Sequence, residues 1–307
     1  MGQYRFTIAS SPHIHSGESV QRIMFSVAGA LLLPTIAGIY FYGIKALILV
    51  VTTTLAAVIT EAIFQKLRGK PITVWDGSAV VTGILLALNL PPGLPLWMAV
   101  VGAAVAISLG KQIYGGLGTN PFNPALIGRV FLMITFPVQM TTWINPVDGT
   151  TGATPLALLK MQGVSTDYMS LFLGNVGGSM GETSALMIIL GGLYLLYKGY
   201  IDWTIPAGYL GTVAVLSLLL GKDPIFQLLS GGLMLGAFFM ATDMVTTPIT
   251  RLGRIIFGIG AGIFTVIIRF YGGYPEGVSF SILLMNAFTP VINRYTVPKI
   301  YGEVKAR

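Results

Sequence analysis

The sequence predicts an all-α polytopic membrane protein, and three observations support this prediction. Hydrophobic residues make up 54% of the 307 residues and charged residues 9%, against about 25% charged residues in soluble domains. The chain contains 39 glycines, which allow transmembrane helices to approach closely. Its apolar segments recur near the length of about 20 residues that a helix needs to cross a bilayer. A soluble fold of this size could not bury so much apolar surface.

The hydropathy pattern predicts about ten transmembrane helices. In chain order they cover residues 23–42, 45–64, 77–90, 95–113, 124–137, 184–198, 203–220, 225–241, 252–270 and 278–293. Several are interrupted: the third ends at Asn89-Leu90-Pro91-Pro92, the fifth begins at Pro124, and the eighth runs out at Asp243. Such helices are tolerated in a membrane only where protein or a cavity satisfies the freed backbone groups.

The ten helices divide into two halves of five. The triplet Tyr-Gly-Gly at 114–116 is followed 15 residues later by Phe131, and the same triplet at 271–273 is followed at the same distance by Phe288. An odd number of spans in each half gives inverted repeats, which are typical of transporters; chance recurrence is the alternative. The predicted divisions are an N-terminal segment 1–22, a first five-helix repeat 23–137, a loop 138–183, a second repeat 184–293 and a tail 294–307.

Lysine and arginine residues predict the orientation, because cytoplasmic loops carry an excess of both. If the N-terminus is cytoplasmic, 14 of the 18 basic residues fall inside and 4 outside, and the outer four are Lys45, Lys160, Lys222 and Arg269. Both termini are therefore predicted to be cytoplasmic and the loop 138–183 extracytoplasmic. Residues 1–21 are polar and lack the apolar core of a cleavable signal. The net charge is +7, and the basic residues lie between the apolar spans. We therefore expect contact with membrane lipid and none with nucleic acid.

The outer loop contains Asp148-Gly149-Thr150-Thr151-Gly152-Ala153-Thr154-Pro155. Pro155 keeps Thr154 out of helix geometry, and Gly152 and Ala153 leave its N-terminal side free of bulk. The pattern predicts an extended, exposed hydroxyl that an enzyme could modify. An ordinary surface turn is the alternative for so short a string.

This stretch resembles the flavinylation motif shared by the Rnf complex and the sodium-pumping NADH:quinone reductase. Three further stretches match the membrane subunit of that family in its order along the chain. They are Ser11-Pro12-His13 with Arg22-Ile23-Met24, then Gly115 through Asn120-Pro121-Phe122-Asn123-Pro124-Ala125, then Gly236 through Ala241-Thr242-Asp243 and Thr246-Thr247-Pro248. The chain begins shortly before the first stretch, so it looks like the Rnf D subunit rather than the longer quinone-reductase subunit, which remains an alternative.

The resemblance implies a urea-channel-like fold and two flavins. A flavin transferase would link FMN through its phosphate to Thr154, within an attachment motif that includes Asp148, Thr151, Gly152 and Ala153. The family also carries a noncovalent flavin, riboflavin, toward the cytoplasmic side. The protein would then lie in a prokaryotic cell membrane, within a multi-subunit ferredoxin:NAD⁺ oxidoreductase that moves Na⁺ or H⁺.

Four polar residues on the predicted cytoplasmic side are candidates for the noncovalent flavin. Asn120 and Asn123 could bond a flavin edge, since an amide both donates and accepts, or they could cap the helix that begins at Pro124. Asp243 could bind a cation or a cofactor at a broken helix, or pair with an arginine on the next helix. Thr246 adds a hydroxyl nearby.

For the other polar residues, the sequence gives weaker indications of a functional role. Arg129 lies inside the fifth predicted span and could pair with a flavin phosphate or an acid, or extend to the interface. Glu61 is either an intramembrane acid or an interfacial one. His13 and His15 are too few for a metal site.

The sequence shows no catalytic constellation of its own. It has no nucleotide-binding glycine loop, and with no cysteine it has no cysteine ligands for an iron–sulfur centre, which would have to belong to a partner. A subunit of an electron-transporting complex is thus the first hypothesis, and a flavin-free solute channel or transporter of the same fold is the alternative from another class.

Overall fold

The computed structural model describes residues 17–146, 149–273 and 276–298, and in these ranges the chain is almost entirely helical. The fold class predicted from the sequence is confirmed. The α-helices are α1 Val20–Tyr42, α2 Ile44–Leu67, α3 Ser78–Leu88, α4 Leu96–Gly110, α5 Pro124–Thr135, α6 Pro137–Met140, α7 Pro155–Gln162, α8 Tyr168–Leu173, α9 Ala185–Tyr197, α10 Thr204–Leu219, α11 Pro224–Leu229, α12 Leu233–Leu235, α13 Arg251–Tyr271 and α14 Val278–Thr296.

The long helices account for part of the predicted spans. Among the described residues, four helical segments are long and apolar enough to cross a membrane, namely Val20–Tyr42, Ile44–Leu67, Leu96–Tyr114 and Arg251–Tyr271. Four more apolar helices, α3, α5, α9 and α10, have 10–17 residues. The predicted eighth span is divided into α11, α12 and a π-helix, Gly236–Met240. Gly231 in the left-handed region, with φ of 67°, separates α11 from α12.

The protein satisfies the backbone that the interrupted helices leave free. After α3 ends, the Leu90 carbonyl accepts a hydrogen bond from the Met180 amide at 3.4 Å. The Asn89 side chain donates to the Leu85 carbonyl at 2.7 Å and accepts from Arg129 at 2.7 Å. At the end of the third span, protein groups therefore satisfy the free backbone hydrogen-bonding groups, as the sequence predicts.

The same helix pairs pack in both halves of the chain. In the first half α2 packs on α4 and α4 on α5, and in the second half α10 packs on α13 and α13 on α14. Each Tyr-Gly-Gly triplet lies at the C-terminal end of the fourth predicted span of its half. These correspondences support the repeat, while the domain boundaries and the inverted orientation stay predictions.

The described part of the loop 138–183 forms a small folded unit that contacts α1 through Tyr42 and the second half through Phe226. Two short strands, β1 Trp143–Ile144 and β2 Thr151–Gly152, pair antiparallel, with Trp143 opposite Gly152. Helix α7 then packs over a satellite apolar cluster of Leu156, Leu171, Val176 and Phe226. Because Phe226 belongs to α11, this cluster ties the loop to the broken eighth span.

Candidate functional sites

Thr154 is the N-cap of α7. Its φ of −64° and ψ of 157° are extended, and its hydroxyl accepts a hydrogen bond from the Ala157 amide at 3.3 Å. Pro155 occupies the first helical position, where its missing N–H costs nothing. The expected extended geometry at Thr154 is therefore present.

The expected exposure of Thr154 is wrong, because the residue is 2% exposed. The physical reason is the helix that Pro155 starts. Thr154 caps this helix, and the start of the helix is buried, with Leu156 packed against Leu171, Val176 and Phe226. By contrast, Thr151, Gly152 and Ala153 are exposed, and Asp148 lies outside the described residues.

A cavity of about 250 Å³ adjoins the motif. Thr150, Gly152 and Ala153 line it on one side, and Trp143 and Asn175 line it elsewhere. The β1–β2 pairing brings Trp143 to this wall. The motif thus borders a space with an aromatic ring and amide side chains at its edge.

A second cavity lies between the halves, on the predicted cytoplasmic side. It brings together Asn120, Asn123 and Asp243, which are distant in sequence, and also Ser78 and Lys111. Apolar side chains of α1, α3 and the π-helix complete the wall, among them Met24, Leu85 and Phe238. We call this the inner cavity.

Asn123 is a helix cap with a second contact. Its carbonyl oxygen accepts from the Ala125 and Leu126 amides at 3.0 and 3.4 Å, which caps α5. Its amide nitrogen donates to the Met240 carbonyl in the π-helix at 3.3 Å. Capping, which the sequence left as an alternative, is therefore part of its role, and the side chain also joins the two halves.

Asn120 is arranged differently. Its amide nitrogen donates to the Phe122 carbonyl at 3.1 Å. Its carbonyl oxygen is buried and has no partner among the described residues, and the side chain lines the inner cavity. Because a buried polar atom without a partner is costly, this oxygen is suited to a donor on a bound ligand.

Asp243 does not pair with an arginine of the next helix. Its carboxylate accepts from the Val245 amide at 3.3 Å and from the Thr246 hydroxyl at 3.2 Å. Arg254 instead pairs with Asp202 at 2.8 Å, and Arg251 lies over the Trp203 ring. Thr246 is thus a support for Asp243 and does not itself line the inner cavity.

Lys111 is a site residue that the sequence patterns did not identify. The sequence places it at the cytoplasmic end of the fourth predicted span, 95–113, with no role in a site, whereas the residue is 1% exposed and its ammonium lies 2.7 Å from Glu61. Its ammonium also donates to the Ser78 hydroxyl at 2.6 Å, and Gln112 donates to Glu61 at 2.9 Å. Glu61 is therefore a buried acid with partners in the protein, and its depth in the membrane stays a prediction. The sequence signal that could have found it is its position inside the predicted span 95–113, since a charge within a span needs a partner.

Arg129 belongs to a separate buried cluster. It donates to Asn89 at 2.7 Å, forms an ion pair with Glu276, and lies 3.9 Å from Glu182. Of the alternatives for Arg129, the structure shows pairing with acids rather than extension to the interface. Its side chain does not line the inner cavity, so the structure does not join it to the asparagines.

The inner cavity has a volume of about 80 Å³, which holds a few water molecules and is smaller than a tricyclic flavin ring. A groove of about 1020 Å³ shares Ile23, Ile201 and Thr242 with it. A flavin therefore fits only if side chains at this shared wall move. The unpartnered Asn120 oxygen suits a donor on a flavin edge, while the Lys111 ammonium, already held by Glu61 and Ser78, contributes positive charge. Within the described ranges, no group of His, Asp or Glu residues is arranged to hold a metal ion.

These features define a polytopic membrane protein whose two packed halves enclose a polar cavity and whose loop between them carries a capped Thr-Gly-Ala-Thr motif. The chain belongs to the NQR2, RnfD, RnfE family, which residues 7–302 match.

Relatives of known description cover nearly the whole chain. The sequence is 50% identical to the D subunit of the proton-translocating ferredoxin:NAD(+) oxidoreductase complex of Clostridium ljungdahlii, with 97% of this chain and 96% of the relative aligned. It is 51% identical to the D subunit of the Na(+)-translocating ferredoxin:NAD(+) oxidoreductase complex of Acetobacterium woodii, over 100% and 98%. It is 45% identical to the D subunit of the ion-translocating oxidoreductase complex of Stutzerimonas stutzeri, over 93% of each.

Proposed function

We propose that this chain is the D subunit of an ion-translocating ferredoxin:NAD⁺ oxidoreductase and that it passes electrons through FMN attached at Thr154. The observation that carries the proposal is the complete attachment motif, with Thr154 at a helix N-cap, in a chain half identical to such D subunits over its full length. Two relatives of almost equal identity are described with different coupling ions, so the proposal includes both Na⁺ and H⁺.

The position of Thr154 suits a phosphate linkage. The first turn of a helix has free backbone N–H groups and the positive end of the helix dipole, and both favour phosphate. Helix α7 presents that end at Thr154. Since the hydroxyl is buried, the proposal includes attachment by the transferase while α7 is open, before the loop packs.

A noncovalent flavin, which is riboflavin in the family resemblance, belongs to the inner cavity in this proposal. Asn120, Asn123, Lys111 and Asp243 would hold it, and flavins supply one- and two-electron transfer that amino-acid side chains do not. The chain itself contributes the unpartnered Asn120 oxygen, the buried Lys111 ammonium, and an apolar wall that limits water.

The remaining parts of the proposal concern location and partners. The chain would lie in a prokaryotic cell membrane with both termini cytoplasmic and the attachment loop outside. Other subunits would carry the iron–sulfur centres, since this chain has no cysteine. A flavin transferase would act on the loop during maturation.

The test is flavin fluorescence of the denatured polypeptide on a gel. Thr154→Ala is expected to abolish the fluorescence, because the phosphate then has no oxygen to bond. Thr150→Ala is the matched control, since Thr150 is a neighbouring exposed threonine, and it is expected to retain the signal. Full fluorescence in Thr154→Ala would place the tether elsewhere, and a dark wild-type chain would favour the flavin-free channel.

A further inference from the structure

A third cavity lies against another face of α7, away from the attachment motif. It has a volume of about 370 Å³, and Leu156, Leu159 and Lys160 of α7 line it. The motif residues 151–154 do not line it, and the cavity beside the motif is lined instead by Pro155 and Leu158 from α7. Helix α7 therefore separates the space beside the attachment site from this cavity.

Among the residues that the structure describes, three cations and no carboxylate line this cavity. The cations are Lys160, Lys222 and Arg269, and Gln227 adds an amide. The Lys222 ammonium makes no hydrogen bond or ion pair with any residue in the described ranges, and the residue is exposed. Arg269 interacts electrostatically with Glu276 and Glu182, while Lys160 and Lys222 form no ion pair within the described ranges. This local excess of positive charge favours a negatively charged occupant.

Arg269 and Lys160 each keep one side-chain hydrogen-bond donor that the protein does not use. Arg269 uses its side-chain N–H groups for the Glu276 and Ser230 carbonyls and for Gln227. These contacts take four of the five donors that a guanidinium carries. Lys160 donates to the Arg269 and Gly272 carbonyls at 2.9 and 2.6 Å, which leaves one of three ammonium donors. An anion with several oxygens matches these donors.

The rest of the wall is apolar and lies at helix ends. Leu220 follows the last residue of α10, and Phe270 and Tyr271 end α13. Tyr271 is 75% exposed. Aromatic and basic residues at the ends of transmembrane helices mark the membrane–water interface. The occupant therefore meets charge on one side and hydrocarbon on the other.

We propose that this cavity binds the headgroup of an anionic phospholipid. The lipid phosphate lies among Lys160, Lys222 and Arg269, and the start of its acyl chains lies against Leu220 and Phe270. Basic pockets between transmembrane helices bind anionic lipid headgroups in this way. An inorganic anion would leave the apolar wall without a partner. Because Leu156 and Lys160 belong to α7, the lipid also holds the helix whose N-cap is Thr154.

The experiment uses the whole complex, delipidated in detergent, with wild-type chain, Lys222→Gln and Lys45→Gln. Lys45 is the matched control, since it is an exposed lysine on the same predicted side that does not line this cavity. Phosphatidylglycerol is titrated in, and the rise in unfolding temperature is followed. Lys222→Gln is expected to raise the concentration for half the effect about fivefold, while Lys45→Gln and Lys222→Arg keep the wild-type value.

Three results would overturn the proposal. The first is an equal phosphatidylglycerol response in wild type and Lys222→Gln. The second is an equal response of the wild-type complex to phosphatidylcholine or to inorganic phosphate, which would remove the need for an anionic lipid. The third is a changed absorption spectrum of the covalent flavin in Lys222→Gln with an unchanged lipid response, which would make the tethered flavin the occupant.

Discussion

Asn120 and Asn123 lie three positions apart and have different hydrogen-bonding states. Asn123 has partners on both ends of its amide, across two halves of the molecule. Asn120 keeps its carbonyl oxygen buried without a partner in the described ranges. At the scale of single residues, the asparagine that lacks a partner is the better guide to a bound ligand, because its burial has no other compensation.

Asn120→Ala is expected to remove the noncovalent flavin and to leave FMN at Thr154 in place. The unfolding temperature should change little, because only one hydrogen bond, to the Phe122 carbonyl, is lost. Asn123→Ala should cost about 0.5–2 kcal/mol as a lost cap. The measurement is extractable against protein-bound flavin in the purified complex.

Asn286→Ala is the matched control for this pair. Asn286 is another buried asparagine, and neither side-chain atom has a partner in the described part of the chain, but it does not line the inner cavity. It should keep both flavin pools. If Asn120→Ala also keeps both at wild-type stoichiometry, the noncovalent flavin lies elsewhere.

The buried pair Glu61–Lys111 gives a second prediction at this scale. Glu61→Gln leaves the Lys111 ammonium without its carboxylate, and breaking a buried ion pair costs about 3–5 kcal/mol. The double variant Glu61→Gln with Lys111→Met should lose less than the sum of the single losses, because no charge is then left alone. Unfolding of the purified protein in detergent measures all three variants.

Asp202→Asn is the control for that cycle. Its pair with Arg254 is partly exposed, and exposed pairs contribute about 0–1 kcal/mol. Desolvation opposes ionisation, but bonds from the Thr204 amide and Arg254 hold the pKa of Asp202 below its usual range. This small contribution is present at neutral pH and is lost as the pH falls through that lowered pKa. Equal losses for Glu61→Gln and Asp202→Asn would contradict a buried pair.

At the scale of elements, close packing between α10 and α13 depends on glycine. A Cβ on Gly258 would lie 2.8 Å from the Ile205 carbonyl oxygen and 3.2 Å from the Tyr209 nitrogen. Both are backbone atoms, so they cannot rotate away. The small residues thus let two helices of the second half approach at the backbone, as in other membrane bundles.

Gly258→Ala is expected to destabilise the protein by about 1–3 kcal/mol, the usual cost of overpacking. Gly211→Ala on α10 is the matched control, because a Cβ there meets nothing within 4 Å. Gly211→Ala should not lower the free energy of unfolding. Thermal unfolding in detergent compares the two, and equal midpoints would show that α10 and α13 can separate without loss.

At the scale of the whole molecule, the orientation is a prediction from the basic residues. The chain has no cysteine, so single cysteines can report the side of the membrane. Lys45→Cys should react with an impermeant maleimide on intact cells, and Lys198→Cys only after the membrane is opened. Both lysines are exposed, which makes them comparable. Reaction of both in intact cells would reject the topology.

The class of fold, the ends of the interrupted helices and the extended backbone at Thr154 could be predicted from the amino-acid sequence. Each of these depends on local information: apolar length, proline position, and a string of eight residues whose backbone geometry Pro155 restricts. The third span ends near Asn89-Leu90-Pro91-Pro92 and the eighth ends near Asp243, as predicted, whereas the break at Gly231 inside the eighth span was not predicted. The family resemblance also came from short contiguous stretches, and the match over residues 7–302 confirms it.

Which polar groups are buried together depends on tertiary packing and could not be predicted in the same way. Thr154 looked exposed because nothing local shows that the start of α7 packs against Leu171, Val176 and Phe226. The pairing of Lys111 could not be predicted because its partner, Glu61, lies 50 positions away, and Arg129 meets Glu276 at a separation of 147. A charge is kept in a membrane interior by its partner, and that partner is set by how helices pack rather than by the residues beside it in the chain.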